Sequence, residues 1–257
     1  MQDLKVSLIQ VNQVWEDRKA NIDMFASLIE ALTDTDLIVL PEMFHTSFSM
    51  NVTLAEHWED NAVIHQLKSW TSQSQAAIYT SMMVEDQGVF YNRGVFVSPI
   101  GEVTHYDKRK SFGLGGEDKV FTQGEHEQIV EYKGWKINLQ ICYDLRFPEL
   151  IRNRIVSDDI AAYDLLLYVA NWPTKRVLHW TTLLKARAIE NQCYVVGVNR
   201  VGTDGNNLSY PGASAVYNGL GETGIEMNDQ EGISTHVLSY ESLQNLRINL
   251  PFLKDRK

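Results

Sequence analysis

Gln140-Ile141-Cys142-Tyr143-Asp144-Leu145-Arg146-Phe147-Pro148-Glu149 is the stretch on which the reading of this chain turns. An apolar strand over Trp135–Cys142 ends on a cysteine, and polar residues with a helix start follow at once; the helix is expected over Pro148–Ile155. A side chain at the carboxyl end of a strand stands where open α/β sheets place their ligands. The serine elbow of hydrolases follows the same logic. A helix amino end beside the cysteine would favour a thiolate and a developing oxyanion, because its free N–H groups and dipole point there. The other reading of Cys142 is one more small buried hydrophobe, as most free cysteines are.

Outward from that strand, strand and helix patterns alternate in both directions. Leu4–Val11 reads as a strand, and Ile22, Phe25, Ile29 and Leu32 recur at steps of three and four, which predicts a helix with one apolar stripe against a sheet. Leu37-Ile38-Val39-Leu40 is a buried strand stopped by Pro41. Val63, Leu67 and Trp70 mark a second helix, followed by short strands over Ile78–Val84, Val89–Ser98 and Val103–Lys108 with turn signals at Gly88 and Pro99-Ile100-Gly101. Downstream, Leu165–Ala170 is a strand ended near Pro173, Val177, Trp180, Leu184 and Ala188 form the stripe of a long helix, and Tyr194–Asn199 is a further strand. No low-complexity tract or composition shift marks a linker. The expectation is one α/β domain over residues 1–257, with helices covering sheet faces.

Bulk composition narrows the partners. A net charge of −10 and a pI near 5.2 argue against nucleic acid or an anionic membrane surface. An anionic small substrate stays open, since a few local Arg or Lys residues outweigh the global field at short range. The amino terminus carries no basic start, apolar core and cleavage site, and no apolar run approaches the roughly 20 residues that span a bilayer. Two cysteines, Cys142 and Cys193, make no disulfide framework, so a reducing cytoplasm is the expected location. Cys193 opens the strand Cys193-Tyr194-Val195-Val196, the wrong end for a ligand site, and reads as core.

A thiol with a pKa of about 8.5 is only a few per cent ionised at neutral pH, so a catalytic cysteine needs a base. None of His45, His57, His65, His105, His126, His179 and His236 has a spacing that singles it out, although His45 and His179 lie near candidate site loops. No paired H-x-x-x-H or C-x-x-C occurs, and neither a metal nor a cofactor is expected. A partly buried carboxylate can substitute for histidine. Glu42 has that position, directly after the buried strand and Pro41 and before Met43 and Phe44; the alternative is a Glu that caps a loop N–H. The third feature is Tyr106-Asp107-Lys108-Arg109-Lys110 at a strand end, which also reads as a solvated basic edge.

Taken together, Leu40-Pro41-Glu42 with Met43-Phe44, Tyr106-Asp107-Lys108, and Ile141-Cys142-Tyr143-Asp144-Leu145-Arg146-Phe147-Pro148 resemble, in that order, the motifs of the nitrilase superfamily of carbon–nitrogen hydrolases. Tyr168-Val169-Ala170-Asn171-Trp172-Pro173, His179-Trp180, Ala186–Gln192 and Asn199–Asn206 are most similar to its omega-amidase branch. The resemblance implies a four-layer α-β-β-α sandwich, paired into a homodimer that stacks the helical layers. It implies Glu42, Lys108 and Cys142 as the catalytic set. Glu117, in Gly115-Gly116-Glu117-Asp118, matches a second family Glu that orders the Lys and the attacking water. It also implies hydrolysis of the terminal amide of a 2-oxo acid such as 2-oxoglutaramate. A nitrilase or an N-carbamoyl amino acid hydrolase would use the same three residues, and an inactive scaffold relative is the reading from another class.

One departure stands out. Relatives place His-Leu where this chain has Lys110-Ser111, which leaves Lys108, Arg109 and Lys110 side by side; Lys108 holds the Tyr-x-Lys frame. A substrate carboxylate needs a cation, and Arg109, Lys110, Arg146, Lys175 and Arg176 are the candidates, unranked. Tyr143, Asn171 and Trp172 are candidate substrate-binding residues, and Arg187 is expected to be structural because Glu190 follows at i+3.

Overall fold

Alternation along the strands decides which layer each residue joins. In the first strand, Leu4, Val6 and Leu8 face one way and Ile9 the other; in the second, Leu37 and Val39 oppose Ile38. The computed structural model describes residues 2–59, 61–157 and 160–256. In it, Leu4, Val6, Leu8, Leu37, Val39 and Tyr79 pack against Trp135, Ile137, Leu139 and Ile141 of a second sheet. Ile9, Ile38, Leu40 and Ile78 pack instead against Phe25, Ile29, Leu67 and Trp70 from the helices Arg18–Glu30 and Ala62–Ser74. The fold is therefore four layers, helices outside and two sheets back to back.

The first sheet runs in the spatial order Gly232–Leu238, Leu4–Gln10, Leu37–Val39, Ala77–Asp86, Val89–Val97, Val103–Asp107. Its strands Leu4–Gln10, Leu37–Val39 and Ala77–Asp86 are parallel, as their helical crossovers require, and the later ones pair as antiparallel hairpins. The second sheet runs Thr223–Glu226, Ala215–Tyr217, Tyr194–Asn199, Leu165–Ala170, Trp135–Ile141, Ile129–Tyr132, with Leu165–Ala170 parallel to both its neighbours. Trp180, Leu184 and Ala188 of the helix Val177–Asn191 close its outer face. Gly197 permits that approach: a Cβ there would lie 2.6 Å from Leu184 Cδ1.

The carboxyl ends of Leu37–Val39, Trp135–Ile141 and Leu165–Ala170 converge on one edge, which brings Glu42, Cys142 and Asn171 together. Two expectations are corrected there. The strand stops at Ile141, and no α-helix covers Pro148–Ile155; two 3-10 turns, Cys142–Arg146 and Pro148–Leu150, lead to a short strand Ile155–Ser157. Phe147 precedes a proline and is held out of the helical region at φ −114°, ψ 87°, so the turns do not fuse. No helix among the described residues is long and apolar enough to cross a membrane.

Candidate active site

Cys142 takes a left-handed φ of +42°, a strained conformation for a residue with a Cβ, at the step from strand to turn. Asp144 holds that turn. Its Oδ2 accepts from Ile141 N at 3.0 Å and from the Tyr106 hydroxyl at 2.8 Å, and its Oδ1 accepts from Lys110 N at 2.9 Å. Burial pushes the Asp144 carboxyl up to about 6, against the pull of Lys108 and these donors. Arg187 braces the same turn from the helix, donating to Leu145 O at 3.1 and 2.7 Å and to Glu190 at 3.0 Å, the structural role expected of it.

Glu42 is fully buried and ringed by donors. Oε1 accepts from Lys108 Nζ and from Asn92 Nδ2, both at 2.8 Å, and Oε2 accepts from Asn171 N at 2.9 Å. Its carbonyl takes Asn171 Nδ2 at 2.7 Å and Gln13 Nε2 at 3.1 Å, which hold the loop whose Met43 has φ +47°. Lys108, also buried, donates to both oxygens of Glu117 at 2.9 Å. Glu117 in turn accepts from Phe112 N at 2.6 Å and from Asn92 Nδ2 at 2.9 Å. Burial opposes charge on Lys108, but Glu117, Glu42 and Cys142 outweigh it and raise its pKa. The Cys142 thiol is pushed well up, first by burial and then by the charge of Glu42, with Lys108 pulling the other way. A hydrogen bond from the thiol to Glu42 adds to that rise. The arrangement can pass the thiol proton to the neighbouring Glu42 carboxylate, with an ammonium alongside to meet negative charge on an attacked carbonyl.

Cys142 opens onto a cavity of about 550 Å³. Tyr143, Asn171 and Trp172 line it, as do Phe48 and Phe112, and so do Arg146, Lys175 and Arg176. Of the five candidate cations, Arg109 and Lys110 point elsewhere: Arg109 Nη2 donates to Leu150 O at 2.8 Å, and Lys110 Nζ sits 5.1 Å above the Phe147 ring. Arg146 lies 4.6 Å over Trp172 and bonds His179 Nδ1 at 3.2 Å; Arg176 lies 5.2 Å over Phe112. Among the described residues, neither guanidinium pairs with a carboxylate. The cavity's own carboxylates are taken: Asp204 accepts from Asn206 N, Leu208 N and Tyr210 Oη at 2.8–2.9 Å, and Glu16 from Ser49 and Asn51. Three cations, Arg146, Lys175 and Arg176, face the cavity beside two carboxylates, Glu16 and Asp204, so the lining is net positive.

Sequence reasoning missed Asn92 and Gln13. Asn92 lies inside the strand Val89–Val97, and a buried amide in a strand interior always demands partners, but nothing local says which. Cys193 is core, as expected, its thiol pushed up by burial. Among the described residues, no group of three or more His, Cys, Asp or Glu side chains is disposed to hold a metal.

His45, three residues after Glu42, is buried with both ring nitrogens unpartnered, and burial lowers its pKa to about 3. A histidine depressed from 6.5 stays neutral in the fold while the unfolded chain takes up a proton. Its contribution is present above pH 6.5 and is lost as pH falls towards 3, by about 1.4 kcal/mol per pH unit. His45→Leu is therefore expected to flatten the acid side of the stability curve. Urea unfolding from pH 7 to 4 checks this, and parallel curves for the two proteins would refute it.

Residues 5–248 match the model of the carbon–nitrogen hydrolase family. The chain is 42% identical to the omega-amidase YafV of Yersinia enterocolitica, over 99% of this chain and 97% of that protein. It is 32% identical to the 2-oxoglutaramate amidase of Paenarthrobacter nicotinovorans, over 99% and 90%. A crystal structure of a CN-hydrolase superfamily protein from Xanthomonas campestris, with an arsenic adduct in its active site, superposes with a TM-score of 0.97 at 40% identity, covering 100% of this chain and 98% of that one.

Proposed function

Because the chain belongs to the carbon–nitrogen hydrolase family, we propose that it is an omega-amidase, hydrolysing the terminal amide of a small 2-oxo acid of the 2-oxoglutaramate kind through a thioester on Cys142. The observation that carries this reading is the pairing of a buried Glu42–Lys108–Cys142 cluster with a cavity wall of unpaired cations. Glu42 takes the Cys142 proton as the thiolate attacks the amide carbon. Lys108 and the backbone N–H of Tyr143 bind the oxyanion of the tetrahedral intermediate. The intermediate expels ammonia, protonated from Glu42, and leaves the thioester. Glu42 then draws a proton from water, which attacks the thioester, and the acid and the free thiol are released. Glu117 keeps Lys108 in register for both steps.

Arg146, with Lys175 and Arg176, meets the carboxylate of the 2-oxo acid, and Asn171 and Trp172 form the wall beside it. A substrate panel scored by ammonia release tests the whole reading. 2-Oxoglutaramate is expected to turn over at least about tenfold faster, in kcat/KM, than a carboxylate-free amide of the same length, since a charge-assisted pair contributes on that scale. Turnover of only an aliphatic nitrile or an N-carbamoyl amino acid would overturn it.

Both cysteines are free thiols, which supports a reducing cytoplasm; cell fractionation checks that. Leu178 and Ile189 stand exposed on the helix Val177–Asn191, which supports a homodimer stacked through that layer, with a dimer mass expected in light scattering.

A further inference from the structure

Asn92 has no titrating group, yet it touches three members of the charged cluster. Its Nδ2 donates to Glu42 Oε1 at 2.8 Å and to Glu117 Oε1 at 2.9 Å, and its backbone carbonyl accepts from Lys108 N at 3.0 Å. The orientation of the amide is not free: turned over, Oδ1 would face two carboxylate oxygens. One NH₂ group has two hydrogens, and each carboxylate takes one. Oδ1 is buried without a partner, so the donors account for the side chain's bonding.

We propose that Asn92 is a positioning residue, whose amide clamps Glu42 to Glu117 across Lys108 and so holds the Glu42 carboxylate turned to the Cys142 thiol. This rests on Glu42 acting as the base. Asn171 N and Phe112 N each hold one carboxylate, and Lys108 is a point charge on a four-carbon stem, so none of these fixes the angle between the two mutually repelling groups. Asn92 is fixed in a strand, and its planar amide does set one. The titratable and charged groups facing the carboxylates are Lys108 from the end of Val103–Asp107, Cys142 from its turn and Tyr79 from Ala77–Asp86, with Asp144 behind Lys108. A hydrogen bond donated to a carboxylate opposes its protonation. With both hydrogens removed, a proton binds the pair more readily and the base is lost at a higher pH.

The test uses Asn92→Leu, which removes both hydrogens, and Asn92→Ser, which leaves one. In the full-length enzyme, kcat and KM are measured from pH 5 to 9, together with the rate of Cys142 alkylation by iodoacetamide over the same range. Asn92→Leu is expected to lower kcat about 10- to 100-fold with KM within about threefold. Its acid limb should move up by about one to two pH units, and that of Asn92→Ser by less. Acid limbs that coincide with the wild type in activity and in alkylation, whatever the melting temperature, overturn the clamp. If Asn92→Leu fails to fold, Asn92→Ser decides alone: a raised limb supports the clamp and an unmoved one overturns it. Alkylation depends on Glu42 and Cys142 but on no amide substrate. A wild type that hydrolyses nothing in the panel, with alkylation limbs displaced in the variants, would therefore sink the omega-amidase reading and leave the clamp standing.

Discussion

Cys142→Ala is expected to lose amide hydrolysis by at least about 10⁴-fold in kcat while folding as the wild type does. Removing the nucleophile of a covalent mechanism costs up to about 10⁶, and what remains comes from oxyanion donors and binding. The substitution takes away one sulfur atom and, of the donors to Glu42, only the thiol. Glu42 keeps Lys108, Asn92 and Asn171, and the left-handed backbone at Cys142 is no worse for alanine than for cysteine. The melting temperature should therefore shift by only a few degrees, which separates lost chemistry from lost structure. The measurement is single-turnover and steady-state ammonia release on 2-oxoglutaramate, beside circular dichroism melting. A folded Cys142→Ala that retained full turnover would remove Cys142 from the mechanism and the thioester with it.

The positions of Cys142 and Glu42 were legible because strand ends announce themselves locally. An apolar run that breaks at polar residues, or at Pro41, places the next side chain at the sheet's carboxyl edge, and both side chains are there. What followed Cys142 was misread for an equally local reason: Pro148 suits a helix start, but its restriction on Phe147 keeps two short turns from becoming one helix. The choice among Lys108, Arg109 and Lys110 was open to the residues alone, because three adjacent cations differ only in where the backbone aims them. Here Lys108 turns inward to two carboxylates, Arg109 to Leu150 O and Lys110 to a ring. Asn92 was out of reach altogether. Its partners lie 50 and 25 residues away in the chain, and only the finished sheet brings them within a hydrogen bond. The strand Gly232–Leu238, which closes the first sheet against Leu4–Gln10, is also fixed by a pairing across nearly the whole chain.

Lys108→Met is expected to fail twice, in rate and in stability, and the two failures can be separated. In rate, with Lys108 in its proposed role of oxyanion donor, its loss costs about 10²–10³ in kcat. In stability, the ammonium is bonded to two buried carboxylates, Glu42 and Glu117, and methionine leaves two like charges bridged by Asn92 beside their separate backbone donors. Breaking a buried pair by removing one partner costs about 3–5 kcal/mol, which in a chain of this size is on the order of 10 °C of melting temperature. Adding Glu117→Gln restores the cluster's original net charge, because one positive and one negative charge are then missing together. The double variant Lys108→Met/Glu117→Gln should recover much of the lost stability and none of the activity, since the oxyanion still lacks its ammonium. Thermal unfolding and kcat/KM on both variants make the comparison. Activity in Lys108→Met within tenfold of the wild type would exclude Lys108 from the reaction. A double variant no more stable than the single one would show that the carboxylates were never held by its charge.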